Sequence, residues 1–150
     1  MIKRKKQKII SGFGLRVRDG KEELHLGVDL RSWNFKIWKR QPIIFPERCV
    51  FLRRYRNRWG GGCAYKGLES GYIFKSIHIT LNKDIVKNGV YEKGEIIGYS
   101  EKVPGIKEHE HFEVLKKDTT GFSKEFTIKH YEDFWIDPEI YMKKNNFRYN

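Results

Sequence analysis

Little in this sequence points to a disulfide scaffold, a membrane protein or a helix bundle. Its 150 residues include only two cysteines, four prolines and two methionines. Cys49 and Cys63 are too few for a disulfide framework and form no C-x-x-C pair of the kind that holds zinc. A chain of this length buries roughly 70% of its unfolded surface, enough for one core without cross-links. Reduced thiols are the expected state, and a disulfide stays open if the protein works outside a cell. No apolar run approaches the ~18 residues of a spanning helix, so no membrane span is expected. The basic start, Met1 to Lys8, resembles the front of a secretory signal, but the apolar stretch that should follow is only Ile9-Ile10, ahead of Gly12 and Gly14. Acidic residues are also scarce. There are 19 Asp plus Glu against 31 Lys plus Arg, a formal charge of +12. That excess favours a polyanionic partner: nucleic acid, an acidic membrane surface or an anionic cell wall. What the chain does have is aromatic residues, at 15%, which argues against disorder.

Helical periodicity is weak and strand signals recur. Segments rich in β-formers run from Leu24 to Leu30, Pro42 to Leu52, Gly71 to Leu81, Glu95 to Tyr99, His109 to Leu115 and Glu125 to Ile128. Asp19-Gly20, Gly60-Gly61-Gly62, Asn88-Gly89, Lys93-Gly94, Pro104-Gly105 and Thr120-Gly121 separate them as turns. Short strands between turn residues predict an antiparallel all-β domain. Gly71–Leu81 reads as a central strand. Short helices are expected after Lys83 and near Pro138 to Lys143. The reading is one domain over 10–142, between a basic arm at 1–9 and a polar, basic tail at 143–150.

Five histidines are available: His25, His78, His109, His111 and His130. On a strand, His109 and His111 project from one face, together with Glu113 and without Glu110. His25 and Asp29 are four apart, an even offset that shares a face if the chain is extended, and Gly27 between them leaves room for close approach. His25, Asp29 and His111 would form an N, N, O set. Three protein ligands plus water is the pattern of a catalytic zinc, whereas structural sites use four. The helical motif H-E-x-x-H is absent. Pattern alone leaves a metal site standing beside the plainer reading of surface or hydrogen-bonded histidines.

The words around these residues say more. Ile10-Ser-Gly-Phe-Gly-Leu-Arg16, His25-Leu-Gly-Val-Asp29, Gly71-Tyr-Ile-Phe-Lys-Ser-Ile-His-Ile79, Val90-Tyr-Glu-Lys-Gly-Glu-Ile-Ile-Gly98, His109-Glu-His-Phe-Glu-Val114 and Ile136-Asp-Pro138 occur in that order. In sequence and order they resemble the motifs of the lysostaphin-like (LytM-type) zinc endopeptidases that cut peptidoglycan. The resemblance covers about residues 10 to 142. It implies zinc (Zn2+) ligands at His25, Asp29 and His111, catalytic histidines at His78 and His109, and an antiparallel sheet with loops framing a substrate groove. His109, two residues from a ligand on the same face, is the expected general base. His78 is expected to hydrogen-bond the intermediate or orient the water, and the two roles are exchangeable at this level. Glu113 is either a partner of a ligand or a surface ion-pair residue, and His130 reads as a surface residue.

Four departures from the motifs stand out: the run Val103-Pro-Gly-Ile-Lys-Glu108 before the last motif, Glu110 between the two histidines, the bulky basic segment Arg31 to Arg40, and the loop Arg53 to Gly62 with Trp59. The last two bear on substrate preference more than on chemistry. Burying Glu110 without a partner would be costly.

The implied partners are peptidoglycan stems or cross-bridges and the anionic wall surface. Two other readings remain: an inactive wall-binding or structural homologue, and a basic nucleic-acid-binding β domain. Nucleic acid is the weakest, because aromatics beside Arg in a β domain are more often sheet and groove residues. With no export signal, a phage or prophage product is expected, either a lysin made in the host cytoplasm or a virion-associated tail component.

Overall fold

The computed structural model describes residues 7–32 and 40–145. Most of the basic arm, the centre of the Arg31 to Arg40 segment and the end of the C-terminal tail lie outside the described residues. In chain order the elements are β1 (Gln7–Ser11), β2 (Gly14–Arg18), β3 (Lys21–His25), β4 (Val28–Ser32), β5 (Pro42–Ile44), β6 (Cys49–Asn57), β7 (Gly60–Gly67), β8 (Ile73–Ile77), β9 (Ile79–Leu81), β10 (Val90–Tyr91), β11 (Ile96–Ser100), β12 (Glu110–Leu115), α1 (Lys124–Lys129), α2 (Tyr131–Phe134), β13 (Trp135–Ile136) and α3 (Pro138–Lys144). The main sheet runs β1-β4-β12-β8-β7-β6-β10, with β13 also on β12. A second sheet runs β5-β11-β9, and β2 and β3 form a separate ribbon. All pairings are antiparallel.

The period of two along β12 separates core from site. Phe112 and Val114 point into the core with Val28, Leu30, Tyr65 and Phe74. Tyr65, Phe74 and Phe112 stack in series, with ring centroids 5.6 and 5.9 Å apart. Helix α3 lies against this core and buries Tyr141 and Met142. It starts as expected: Asp137 caps it by accepting from Glu139 N–H (2.9 Å), and Pro138 follows at the first helical position. Glu110 shares the core face and is fully buried. Its Oε2 accepts from Ser76 Oγ (2.8 Å), which is also hydrogen-bonded to Tyr65 OH (2.8 Å). Glu110 is thus met by a hydroxyl chain.

Several expectations need correction. Glu125–Ile128 is part of helix α1, because Ser123 Oγ accepts from Phe126 N–H (3.1 Å) and caps it, with Glu125 in the first turn and Lys129 in the last. The segment after Lys83 forms turns rather than a helix. Pro42–Leu52 is interrupted, with β5 and β6 in different sheets. Leu24–Leu30 breaks at Leu26-Gly27, so His25 and Asp29 lie on different strands. Gly71–Leu81 breaks at His78, whose φ is +65°. Such a conformation costs a non-glycine residue about 1 kcal/mol or more and is kept where surrounding structure enforces it. The thiols need no correction: Cys49 and Cys63 are free and buried, the state favoured from the sequence. Cys63 faces Arg54, five residues along β6 from Cys49. That is about 16 Å at ~3.3 Å per residue, far beyond the reach of a disulfide.

Candidate metal centre

Strand pairing assembles the site. Asp29 on β4 is the cross-strand partner of His111 on β12, so their side chains leave the same face. On the other side of β12, His111 faces Ile77, and His78 follows at the break after β8. His109 immediately precedes β12. His25 ends β3 and reaches the same point because the chain turns tightly through Gly27. A Cβ on Gly27 would lie 2.4 Å from the Phe112 carbonyl oxygen and 2.9 Å from His111 Nε2. Only glycine lets this turn press against β12.

Three donor atoms converge. His25 Nε2 lies 3.2 Å from His111 Nδ1 and 3.2 Å from Asp29 Oδ1, and His111 Nδ1 lies 3.1 Å from Asp29 Oδ1. Ligands about 2.0–2.1 Å from a tetrahedral ion stand about 3.3 Å apart. The triangle therefore has the size of one face of such a site.

The outer nitrogens also fit. His25 Nδ1–H donates to the Gly12 carbonyl (2.6 Å), and His111 Nε2–H donates to Glu113 Oε2 (2.9 Å). Each bond spends one ring proton on an outer acceptor and leaves the other nitrogen's lone pair facing inward. Without a cation, only protons on the inward nitrogens can hold two imidazoles and a carboxylate oxygen this close, and a bound cation would take the place of those protons. Glu113 is itself buried and held by Trp135 Nε1–H (2.6 Å). It is a partner of His111, not a surface ion-pair residue.

Charge at the site follows the same geometry. Burial alone would raise the Asp29 carboxyl, yet hydrogen bonds from His109, His111 and His25 hold it well below the usual carboxylate range. Burial pulls His111 down, but the carboxylates of Asp29 and Glu113 push it up to about 9. The field that holds a proton there is the field a divalent cation would feel. His78 is lowered by burial, against the Trp59 carbonyl that supports its charged form, so burial favours the neutral ring.

His109 and His78 flank the triangle. His109 Nε2 lies 3.4 Å from Asp29 Oδ1, and the two rings are 5.0 Å apart in an edge-to-face arrangement. Each is oriented from behind by a backbone carbonyl: His109 Nδ1–H donates to Lys107 O (2.5 Å) and His78 Nδ1–H to Trp59 O (2.7 Å). The five residues line one open cleft of about 830 Å³. His130 is not among its lining residues. It is half-buried at the α1–α2 junction, its ring 4.6 Å from that of Phe126.

Sequence reasoning missed other contributors. Arg16 counted only as a motif letter. Its guanidinium bonds Glu23 and Ser11 and comes within 3.9 Å of Asp29 Oδ2. Arg16, Arg18 and Lys107 all line the cleft, so basic charge lies at the candidate site itself. The opening motif, where Ser11 and Arg16 occur together, was the available signal.

No protein-family model matches the chain, and no curated protein does. Solved structures do. The chain is similar to LytU, with a TM-score of 0.69 and 18% identity, covering 92% of this chain and 86% of that one. It is similar to the catalytic domain of the antimicrobial peptidase lysostaphin from Staphylococcus simulans, with a TM-score of 0.65, 16% identity, and coverage of 93% and 92%. It is also similar to a chain of the SpoIIIAH–SpoIIQ complex, with a TM-score of 0.67, 13% identity, and coverage of 94% and 96%. At these identities the likeness is one of fold, and the fold is that of lysostaphin-like peptidase domains.

Proposed function

We propose that the protein is a zinc-dependent endopeptidase that hydrolyses peptide cross-links of bacterial peptidoglycan, with His25, Asp29 and His111 as ligands. The observation that carries this reading is the triangle of inward donor atoms 3.1–3.2 Å apart, flanked by two carbonyl-oriented imidazoles in an open cleft. The motif resemblance and the lysostaphin-like fold support it. A bound zinc ion would supply Lewis acidity, lowering a water's pKa to about 7 and polarising the scissile carbonyl.

The chain's own residues handle protons and orientation. With Nδ1–H committed to Lys107 O, His109 exchanges protons through Nε2, which lies 3.4 Å from Asp29 Oδ1. It takes a proton from the attacking water and returns it to the leaving amine. His78 is tied through Nδ1–H to Trp59 O, and with burial disfavouring its charged form it offers Nε2 as an acceptor. In that state it orients water, and it donates to an oxyanion only after gaining a proton. Orienting the water is therefore its first role. Basic side chains hold the protein on an anionic wall, and a phage or prophage lysin or tail component is the setting we infer for it.

Purified protein is expected to carry about one zinc per chain and to clear cell-wall suspensions in a chelator-sensitive way. His111→Ala should lose the zinc, while His109→Ala should keep it and lose turnover. Wild-type rates in His109→Ala would refute this account of proton transfer. Mass spectrometry of the released fragments identifies the bond cut. A second reading, a homologue that binds or assembles without turnover, is favoured by the fold shared with the SpoIIIAH–SpoIIQ complex. Zinc-loaded protein that sediments with walls but never clears them would establish it.

A further inference from the structure

The strained His78 is held in place by the β6–β7 hairpin. Asn57 and Gly60 face each other across its end, leaving Arg58 and Trp59 as a two-residue tip. Asn57 Oδ1 accepts from Trp59 N–H (2.8 Å) and stiffens the turn. The Trp59 carbonyl then accepts from His78 Nδ1–H (2.7 Å). Glu101 ties the same two segments together from the other side. Its Oε2 accepts from Gly61 N–H (3.0 Å), its carboxylate pairs with Arg56 (2.9 Å), and its own N–H donates to the His78 carbonyl (2.8 Å). The contact is close enough to exclude any side chain at Gly61, where a Cβ would lie 2.3 Å from the Ile79 carbonyl oxygen. His78 is therefore gripped through its ring by the hairpin and through its main chain by Glu101, which is itself bonded to the hairpin.

The tip of that hairpin also faces the cleft. Trp59 lines it together with the histidines and is 43% exposed, the most polarisable side chain at the site left open to water. Arg58 lies over the indole at 4.7 Å and stiffens it by a cation–π contact. A rigid, half-exposed indole beside reacting groups is the kind of surface that anchors a bound chain.

We propose that Trp59 is a positioning and specificity residue: its main-chain carbonyl orients His78, and its indole binds the substrate's peptide chain in the cleft. One residue thereby couples substrate engagement to the alignment of His78. This rests on the reading of the cleft as a peptide-hydrolysing site. It adds a substrate wall specific to this chain's loop, and it separates two functions within a single residue. Side-chain substitution removes the indole and spares the carbonyl, whereas loosening the turn displaces the carbonyl and spares the indole.

Two measurements test it. The first is the clearing rate of purified peptidoglycan as a function of wall concentration. The second is cosedimentation of the His109→Ala protein with the same walls, which reads binding without turnover. Trp59→Ala should raise the half-saturating wall concentration on the order of tenfold, with the maximal rate within about twofold of wild type. Trp59→Phe should recover most of that loss. Trp59→Ala in the His109→Ala background should weaken cosedimentation by a similar factor. Asn57→Ala should lower the maximal rate several-fold at unchanged half-saturation. Bound zinc should be retained in every variant.

The proposal is overturned if Trp59→Ala leaves both parameters at wild-type values. It is equally overturned if that variant loses maximal rate and zinc together at unchanged half-saturation, which marks a merely structural role. Should the wild-type protein fail to clear walls, the hydrolase reading falls, and cosedimentation alone decides the fate of the indole: undiminished sedimentation of the Trp59→Ala protein overturns its role.

Discussion

Glu113→Gln leaves every proposed zinc ligand untouched and tests whether the buried partner of His111 controls its tautomer. In the folded protein, Glu113 Oε2 accepts from His111 Nε2–H (2.9 Å) and Oε1 accepts from Trp135 Nε1–H (2.6 Å). Two donors thus meet two acceptors. Glutamine keeps one acceptor and turns an NH2 group toward the other donor. Either Trp135 loses its partner, or His111 shifts its proton to Nδ1, the nitrogen that faces Asp29 and His25. The second outcome removes the inward lone pair. Losing a hydrogen bond to a charged group costs about 1.5–3 kcal/mol. Losing the partner that orients a metal-bound histidine typically costs about 10–100-fold in metal affinity, or ~1.4–2.7 kcal/mol. Zinc affinity measured by competition with a chromophoric chelator should fall within that range. Trp135→Phe supplies the contrast: it removes the indole donor and part of a buried ring but leaves Glu113 to hold His111, so stability should drop by about 1.5–3 kcal/mol with zinc affinity unchanged. An affinity for Glu113→Gln within twofold of wild type would refute the tautomer argument. So would an equal loss in Trp135→Phe, because both variants would then act through general packing.

Three further outcomes are expected. Gly27→Ala places a methyl 2.4 Å from the Phe112 carbonyl oxygen, and the forced shift should cost about 1–3 kcal/mol in urea unfolding and weaken zinc binding as His111 is displaced. A variant as stable as wild type would show that the turn can move aside. Arg53 grips Asp118 through two hydrogen bonds (2.9 and 2.8 Å), and this pulls its carboxyl down to about 2. Because the folded value lies below the unfolded one, the stabilisation is present above about pH 4 and is lost as pH falls toward 2. The full shift implies ~2.5 kcal/mol, which solvent screening at this third-exposed pair reduces to about 1 kcal/mol. Asp118→Asn should therefore be less stable than wild type at pH 5 but not at pH 2, and an equal gap at both would exclude the ion pair as the cause. Finally, clearing of whole walls should fall with added salt while cleavage of a small neutral peptide should not, since screening acts on the long-range attraction of a +12 chain. Parallel loss on both substrates would place the charge dependence in the chemistry itself.

Much of the site was legible because strand periodicity is local. His109, His111 and Glu113 share a face by the period of two, and Phe112 and Val114 therefore had to face the core. Helix α3 was legible from Asp137-Pro138, a cap and first-turn pair. Elsewhere local signals misled. Glu125–Ile128 has strand-like residues, yet the Ser123 cap and the charges in the first and last turns select a helix. Gly71–Leu81 looks like one strand because nothing in its composition marks His78 for a positive φ. That bend comes from contacts to Trp59 and Glu101, 19 residues before and 23 after it. The same limit applied to His25 and Asp29. Their even spacing suggested one extended segment, whereas the chain breaks between them at Gly27.

By itself, the sequence determined which residues were available, which of them share a strand face, and the order of motifs that resemble a peptidase family. Only the tertiary structure decided that His111 meets Asp29 and His25, which stand 82 and 86 residues away. It also decided that Glu113 turns inward onto His111, and that Arg16 and Trp59 belong to the cleft. The physical reason is range. Side-chain alternation and capping are set within a few residues, while the pairing of β4 with β12, and the grip of a hairpin on a strained histidine, depend on which strands lie side by side.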